Sequence, residues 1–189
     1  MKSPRLCVVI VNYRTAELAM RCLTSLADER AVTPGLAVIV VDNASGDGSA
    51  QSITGEVRAR GSDDWVRVLP LDRNGGFAAG NNAGIAEARR LGWQPEHYLL
   101  LNPDTLVGPG ALNALLRFME EEPQAGIAGG RLENGDGTIE SSAHNAPSPL
   151  GELESGARLG VLTKRLRRYE VSPPPREAAH GCDWVSGAC

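Results

Sequence analysis

Four short apolar runs, each closing on or beside an asparagine or aspartate, constrain this chain more than any other feature. They are RLCVVIVN (5–12), LAVIVVD (36–42), WVRVLPL (65–71, with Asp72 next) and HYLLLN (97–102). The first two are rich in β-branched residues and carry no polar alternation, the pattern of strands buried on both faces. Helical spacing follows the first run, where Leu18, Cys22, Leu23 and Leu26 recur and Thr15 stands as an N-cap. A second helix is expected from near Phe77 to Leu91, and a third over 110–122, stopped by Pro123. Strands alternating with helices predict an α/β fold with a mainly parallel sheet flanked by helices.

In such sheets ligands bind beyond the carboxyl ends of the strands. Here those ends read Asn12-Tyr13, Asp42-Asn43, Asp72-Arg73-Asn74 and Asn102-Pro103-Asp104. Polar residues end strands simply because loops are polar, so any one cluster says little. Four clusters on one edge, all with Asn or Asp, favour a site.

Composition narrows the classes. At 189 residues with a net charge of −4, the chain is one ordinary globular domain's worth of sequence with no basic face, which argues against duplex nucleic acid. KRLRR (164–168) reads as a solvated helix face, with peripheral contact to anionic lipid as the other reading. The N-terminal apolar stretch is short and lacks a small-residue cleavage site, so it reads as a strand rather than a signal peptide. Cys7, Cys22, Cys182 and Cys189 form no Cys-x-x-Cys pair, and His97, His144 and His180 show no metal-ligand spacing. Cys7 and Cys22 fall in apolar patterns as small core residues. A reducing cytoplasm is the expected setting, at the inner face of the membrane if the lipid contact is made.

Two segments carry chemistry. In DRNGGFAAGNNAGI (72–85), Gly75 and Gly76 precede a helix start, where unpaired N–H groups and the positive dipole end suit an anion. The loop is not a known phosphate fingerprint: Asn81-Asn82 replace the Lys-Ser/Thr of a P-loop, and the glycine offsets do not fit G-x-G-x-x-G. A plain structural turn is the competing reading, although the Asn81-Asn82 amides favour a ligand or a neighbouring loop. In YLLLNPDTLV (98–107), Pro103 ends the ladder and leaves Asp104 beyond the strand. One carboxylate beside a phosphate-friendly loop suits Mg²⁺ or Mn²⁺ shared with substrate phosphates. Capping a turn is that aspartate's bland alternative. After AGIAGG the character changes: RLENGDGTIESS (131–142) reads as a hairpin turning on Asn-Gly-Asp-Gly, and 146–175 as irregular with one basic helix.

The set VVIVNY, VIVVDNASGDGS, RNGGFAAGNNAGI and LLLNPDT, in this order and spacing, resembles family 2 glycosyltransferases of the GT-A fold, and most closely their rhamnosyltransferase-like branch. The likeness covers 5–142 and returns at CDWVSGAC (182–189). It implies a nucleotide-sugar-binding part over 1–145 and the start of an acceptor-side part over 146–189. By position, Asn12 and Tyr13 would lie along base and ribose. Asp42 would bond the pyrimidine, with Asn43 beside it. Arg73, Asn74, Gly75 and Gly76 would touch ribose and diphosphate, with Asn82 on the helix behind them. Asn102 stands where the family's Asp-x-Asp motif has its first acid, and Asp104 is the remaining metal ligand. The activity implied is inverting, metal-dependent transfer of a sugar, rhamnose among the candidates, from a dTDP- or UDP-sugar to a glycan or lipid-linked acceptor in cell-wall or polysaccharide assembly. The family's catalytic base lies after the Trp-x-x-Gly-Ala segment and is expected beyond Cys189. Hence the alternative expectation: a donor-binding fragment without turnover.

Overall fold

The computed structural model describes residues 3–149, 170–176 and 178–186. KRLRR and the basic helix expected around it lie outside these residues. The chain up to Glu121 forms one compact unit, and Glu122–Ser186 another.

The first unit is built on β1 (Leu6–Asn12), β2 (Leu36–Asp42), β3 (Val66–Pro70) and β4 (His97–Leu101), interleaved with α1 (Ala16–Arg30), α2 (Ser49–Ala59) and α3 (Phe77–Arg90), and followed by α4 (Ala111–Glu121). The strands lie in the order β3-β2-β1-β4, every pair parallel. Every residue of β1 and β2 is buried, as their unbroken apolar runs require.

Successive side chains of a strand point to opposite faces, so each central strand serves two cores. Leu6, Val8 and Ile10 pack with Leu23 and Leu26 of α1, Ile53 of α2, and Leu112 and Leu116 of α4. Cys7, Val9, Ile39 and Val41 pack on the other face with Ala88 of α3 and with Trp93. Burial pushes both the Cys7 and Cys22 thiols up to about 12, which leaves them inert, as expected of core cysteines. Glu87, buried on α3, is held below the usual carboxylate range chiefly by hydrogen bonds from Arg90 at 2.6 and 2.7 Å.

Two local expectations need amendment. Helix α2 has no counterpart in the sequence reading, because only Ile53 and Val57 bury apolar side chains, too few to mark a helical face. Thr15 occupies the N-cap position of α1 but does not cap it with its hydroxyl. That hydroxyl and the Thr15 N–H both donate back to Asn12 Oδ1, at 3.0 and 3.2 Å.

Helix α3 lies close on the sheet because two of its residues lack a side chain. A Cβ at Gly80 would stand 2.7 Å from Val11 Cγ1, and one at Gly84 2.5 Å from Val9 Cγ1. Neither distance is tolerable, so these glycines serve packing.

In the second unit, β5 (Leu132–Glu133) and β6 (Ile139–Glu140) form the expected antiparallel hairpin, with Gly137 at φ 81° in its turn. A second antiparallel pair joins β7 (Ala143–His144) to β8 (Trp184–Val185). No helix among the described residues is long and apolar enough to cross a membrane.

Candidate functional site

The register puts the ends of β1, β2 and β3 level: Asn12 stands opposite Asp42, and Asp42 opposite Pro70. The loop after each strand therefore emerges on one edge of the parallel sheet. All four polar clusters lie along that edge, as the strand pattern predicts.

At the centre, Asp42 is 4% exposed and engaged by its own neighbours. Its Oδ1 accepts from Asn12 Nδ2 at 2.7 Å and from the Ser45 hydroxyl at 2.6 Å, while Oδ2 accepts the Ser45 N–H at 3.1 Å. Asn12 is wholly buried and spends both ends of its amide internally, on Asp42 and on Thr15. Its place is beneath the site rather than on its surface. Tyr13 emerges beside it, 42% exposed, with the Arg14 guanidinium 5.1 Å from its ring centroid.

The backbone here is bent hard. Arg14 and Ala44 sit at φ 59° and 57°, the left-handed region that side chains with a Cβ disfavour. Arg14 is held there by two bonds to Ser45: its N–H donates to the hydroxyl at 2.9 Å and its Nε to the carbonyl at 3.0 Å. Ser45 thus binds the turn after β1 to the turn after β2. The sequence reading passes over it, and serine in a Gly-rich loop gives no signal that distinguishes such a role.

Asn43 makes the second connection. It is 2% exposed, and its Nδ2 donates to Asn74 Oδ1 at 3.0 Å and to the Gly76 carbonyl at 3.2 Å. Its Oδ1 accepts the Gly75 N–H at 3.2 Å. Asn74 closes the turn on itself by accepting the Gly76 N–H at 2.8 Å. With Gly76 at φ 84° just ahead of α3, the loop after β3 is drawn to the end of β2. Arg73, Asn74 and both glycines remain exposed, as does Asn82. Asn81, by contrast, is buried, and its Oδ1 has no hydrogen-bond partner among the described residues.

The fourth cluster is set apart in character. β4 adjoins β1, with Ile10 opposite Leu101, so Asn102 follows on the same edge two strands from β2, roughly 10 Å across. Asn102 is partly buried and Asp104 exposed. The Thr105 N–H donates to the Asn102 carbonyl at 3.2 Å, closing a tight turn around Pro103. Among the described residues no group of three or more His, Cys, Asp or Glu could hold a metal ion. One exposed carboxylate fits a hard cation that arrives with phosphate oxygens, and does not fit a standing metal centre.

The chain is 30% identical to the N-acetylglucosaminyl-diphospho-decaprenol L-rhamnosyltransferase of Mycobacterium tuberculosis, over 96% of its own length and 59% of the relative's. It therefore spans well under two thirds of that protein. It is 32% identical to the succinoglycan biosynthesis protein ExoO of Rhizobium meliloti over 66% of this chain and 32% of that one. Among solved structures, S. aureus TarS 1-349 in complex with UDP-GlcNAc matches with a TM-score of 0.51 at 24% identity, covering 65% of this chain and 32% of TarS 1-349. The mannosyltransferase PcManGT from Pyrobaculum calidifontis, in complex with GDP-Man and Mn²⁺, matches with a TM-score of 0.53 at 20% identity, covering 79% of this chain and 37% of that one. These likenesses show the GT-A fold. The model of the family "Glycosyl transferase family 2" matches residues 7–174, and the chain belongs to that family.

Proposed function

We propose that this chain supplies the donor-binding part of an inverting sugar transferase that uses a dTDP- or UDP-sugar, with rhamnose the sugar most in keeping with its relatives. The observation that carries the reading is the Asn43 bridge, which fastens the glycine turn to the end of β2 beside Asp42. A pyrimidine against Tyr13 would meet the remaining lone pairs of Asp42 Oδ2. The ribose and diphosphate would then run along Arg73, Asn74, Gly75 and Gly76, toward Asn102 and Asn82. The positive end of the α3 dipole and the Arg73 guanidinium would favour the negative charge of the diphosphate.

Asp104 would hold Mg²⁺ or Mn²⁺ together with the diphosphate, and such an ion offsets charge developing on the departing nucleotide. In the transfer itself an acceptor hydroxyl oxygen bonds to the anomeric carbon as the bond from that carbon to the phosphate oxygen breaks. The diphosphate leaves with the electron pair, and the hydroxyl proton passes to a carboxylate base. No described residue is assigned that base. The donor-binding part is assigned to residues 1–145 and the acceptor side to 146–189, where a glycan or lipid-linked acceptor is in keeping with the mycobacterial relative's name; work at the inner face of the membrane belongs to the same proposal. Because the chain spans 59% of that relative, donor binding without turnover is the second reading for these 189 residues.

Isothermal calorimetry with UDP and dTDP, with and without Mn²⁺, tests the site. Nucleotide binding strengthened by Mn²⁺ is expected, and Asp104→Ala is expected to abolish the strengthening while base recognition persists. Equal strengthening in parent and variant removes Asp104 from the site. A transfer assay on this chain then separates the two readings, since turnover defeats the binding-only one.

A further inference from the structure

The segment between β4 and α4, which bears Asp104, runs beside α1 and is fastened to it at successive turns. Ser25 Oγ accepts the Val107 N–H at 3.0 Å while donating to the Cys22 carbonyl at 2.8 Å. One turn further on, Glu29 Oε1 accepts the Gly110 N–H at 2.8 Å. Ser25 and Glu29 are four residues apart and so share one face of the helix. Past the end of α1, the Val32 carbonyl accepts from Asn113 Nδ2 at 2.8 Å, which fixes the first turn of α4.

Glu29 is the unexpected member. It is 4% exposed, and its second carboxylate oxygen, Oε2, is buried without a partner among the described residues. Burying a carboxylate costs free energy that an apolar residue would not. The positive end of α4 returns part of it, since Gly110 immediately precedes that helix. The contact that remains to justify the residue is its hold on the chain leading back to Asp104. Residues 107 and 110 thus follow Ser25 and Glu29 in step, three loop residues to one helical turn.

We infer that Glu29, assisted by Ser25, is a positioning residue for Asp104: it sets where that carboxylate stands when a cation and a diphosphate bind. The inference rests on the metal role proposed for Asp104, and its test reads the two separately. Hydrogen exchange on Glu29→Ala, Glu29→Gln and Ser25→Ala is followed over 103–110, alongside calorimetry with UDP or dTDP with and without Mn²⁺. In Glu29→Ala, exchange over 103–110 is expected to rise while β1 and β2 stay protected. The Mn²⁺-dependent gain in affinity should fall about tenfold or more, with metal-free affinity unchanged. Glu29→Gln keeps the accepting oxygen and should restore both; Ser25→Ala should show a smaller loss of each. Unchanged exchange in Glu29→Ala refutes the fastening. Faster exchange with an undiminished Mn²⁺ gain reduces Glu29 to a support for α4 and overturns the inference. A parent chain that binds nucleotide without any Mn²⁺ gain defeats the metal role itself, and with it the role assigned to Glu29. Should Glu29→Ala fail to fold, Ser25→Ala carries the same pair of measurements.

Discussion

The ends of β2 and β4 leave the same edge of one sheet and are built in opposite ways. After β2, Asp42, Asn43 and Ser45 are all buried and knit to the turn after β1 and to the glycine loop. After β4, Asn102 is partly covered, Asp104 is exposed, and the fastening lies several residues downstream on α1. On the proposed reading, a site assembled this way has a rigid half, ready before any ligand arrives, and an open half that the substrate would complete. Such pre-organisation lowers the cost of binding the first part of a ligand.

The contrast makes stability the sharpest probe. Asp42→Ala strands three buried donors, from Asn12 and Ser45, and is expected to lower unfolding stability by about 3–5 kcal/mol in urea denaturation. A loss below about 1 kcal/mol would mean that the β2 end is not the rigid half. Asn43→Ala removes three bonds to the glycine loop and should cost about 1–3 kcal/mol, with weaker nucleotide affinity even without metal. Retention of full affinity would show that the loop needs no tie to β2. Ala44→Gly should raise stability by up to about 1 kcal/mol, because glycine relieves the strain of a positive φ there. Asp104→Ala should leave stability within about 0.5 kcal/mol while removing the Mn²⁺ response. A large destabilisation from that exposed position would erase the distinction between the two halves.

How much of this the residues declare in advance follows the same divide. Strands β1 and β2 were legible because apolar residues, mostly Val, Ile and Leu, fill them up to their last position, and the shared edge because each of the four runs closes on or beside Asn or Asp. Helix α2 was not, since Ile53 and Val57 alone mark its inner face. At the site, Asp42 and Asn43 stood out as polar residues closing an apolar run. Their partners did not: Ser45 meets Asn12 and Arg14 from 33 and 31 residues away, and nothing in a serine announces a contact at that range. Glu29 was hidden for the same reason, because a glutamate in the last turn of an amphipathic helix looks like a surface residue until α4 packs over it. Asn12 illustrates the converse: its position was plain, but only packing shows that its amide is consumed internally.

Gly80 and Gly84 have a bearing that reaches past their own surroundings. With hydrogen atoms in place of methyl groups, α3 rests directly on the valines of β1 and β2. Any bulk inserted there would act as a wedge under the helix, tipping its front end and retracting the loop it carries from the sheet edge. The tolerance of that loop to change is therefore governed one and two turns behind it, at positions no ligand would touch.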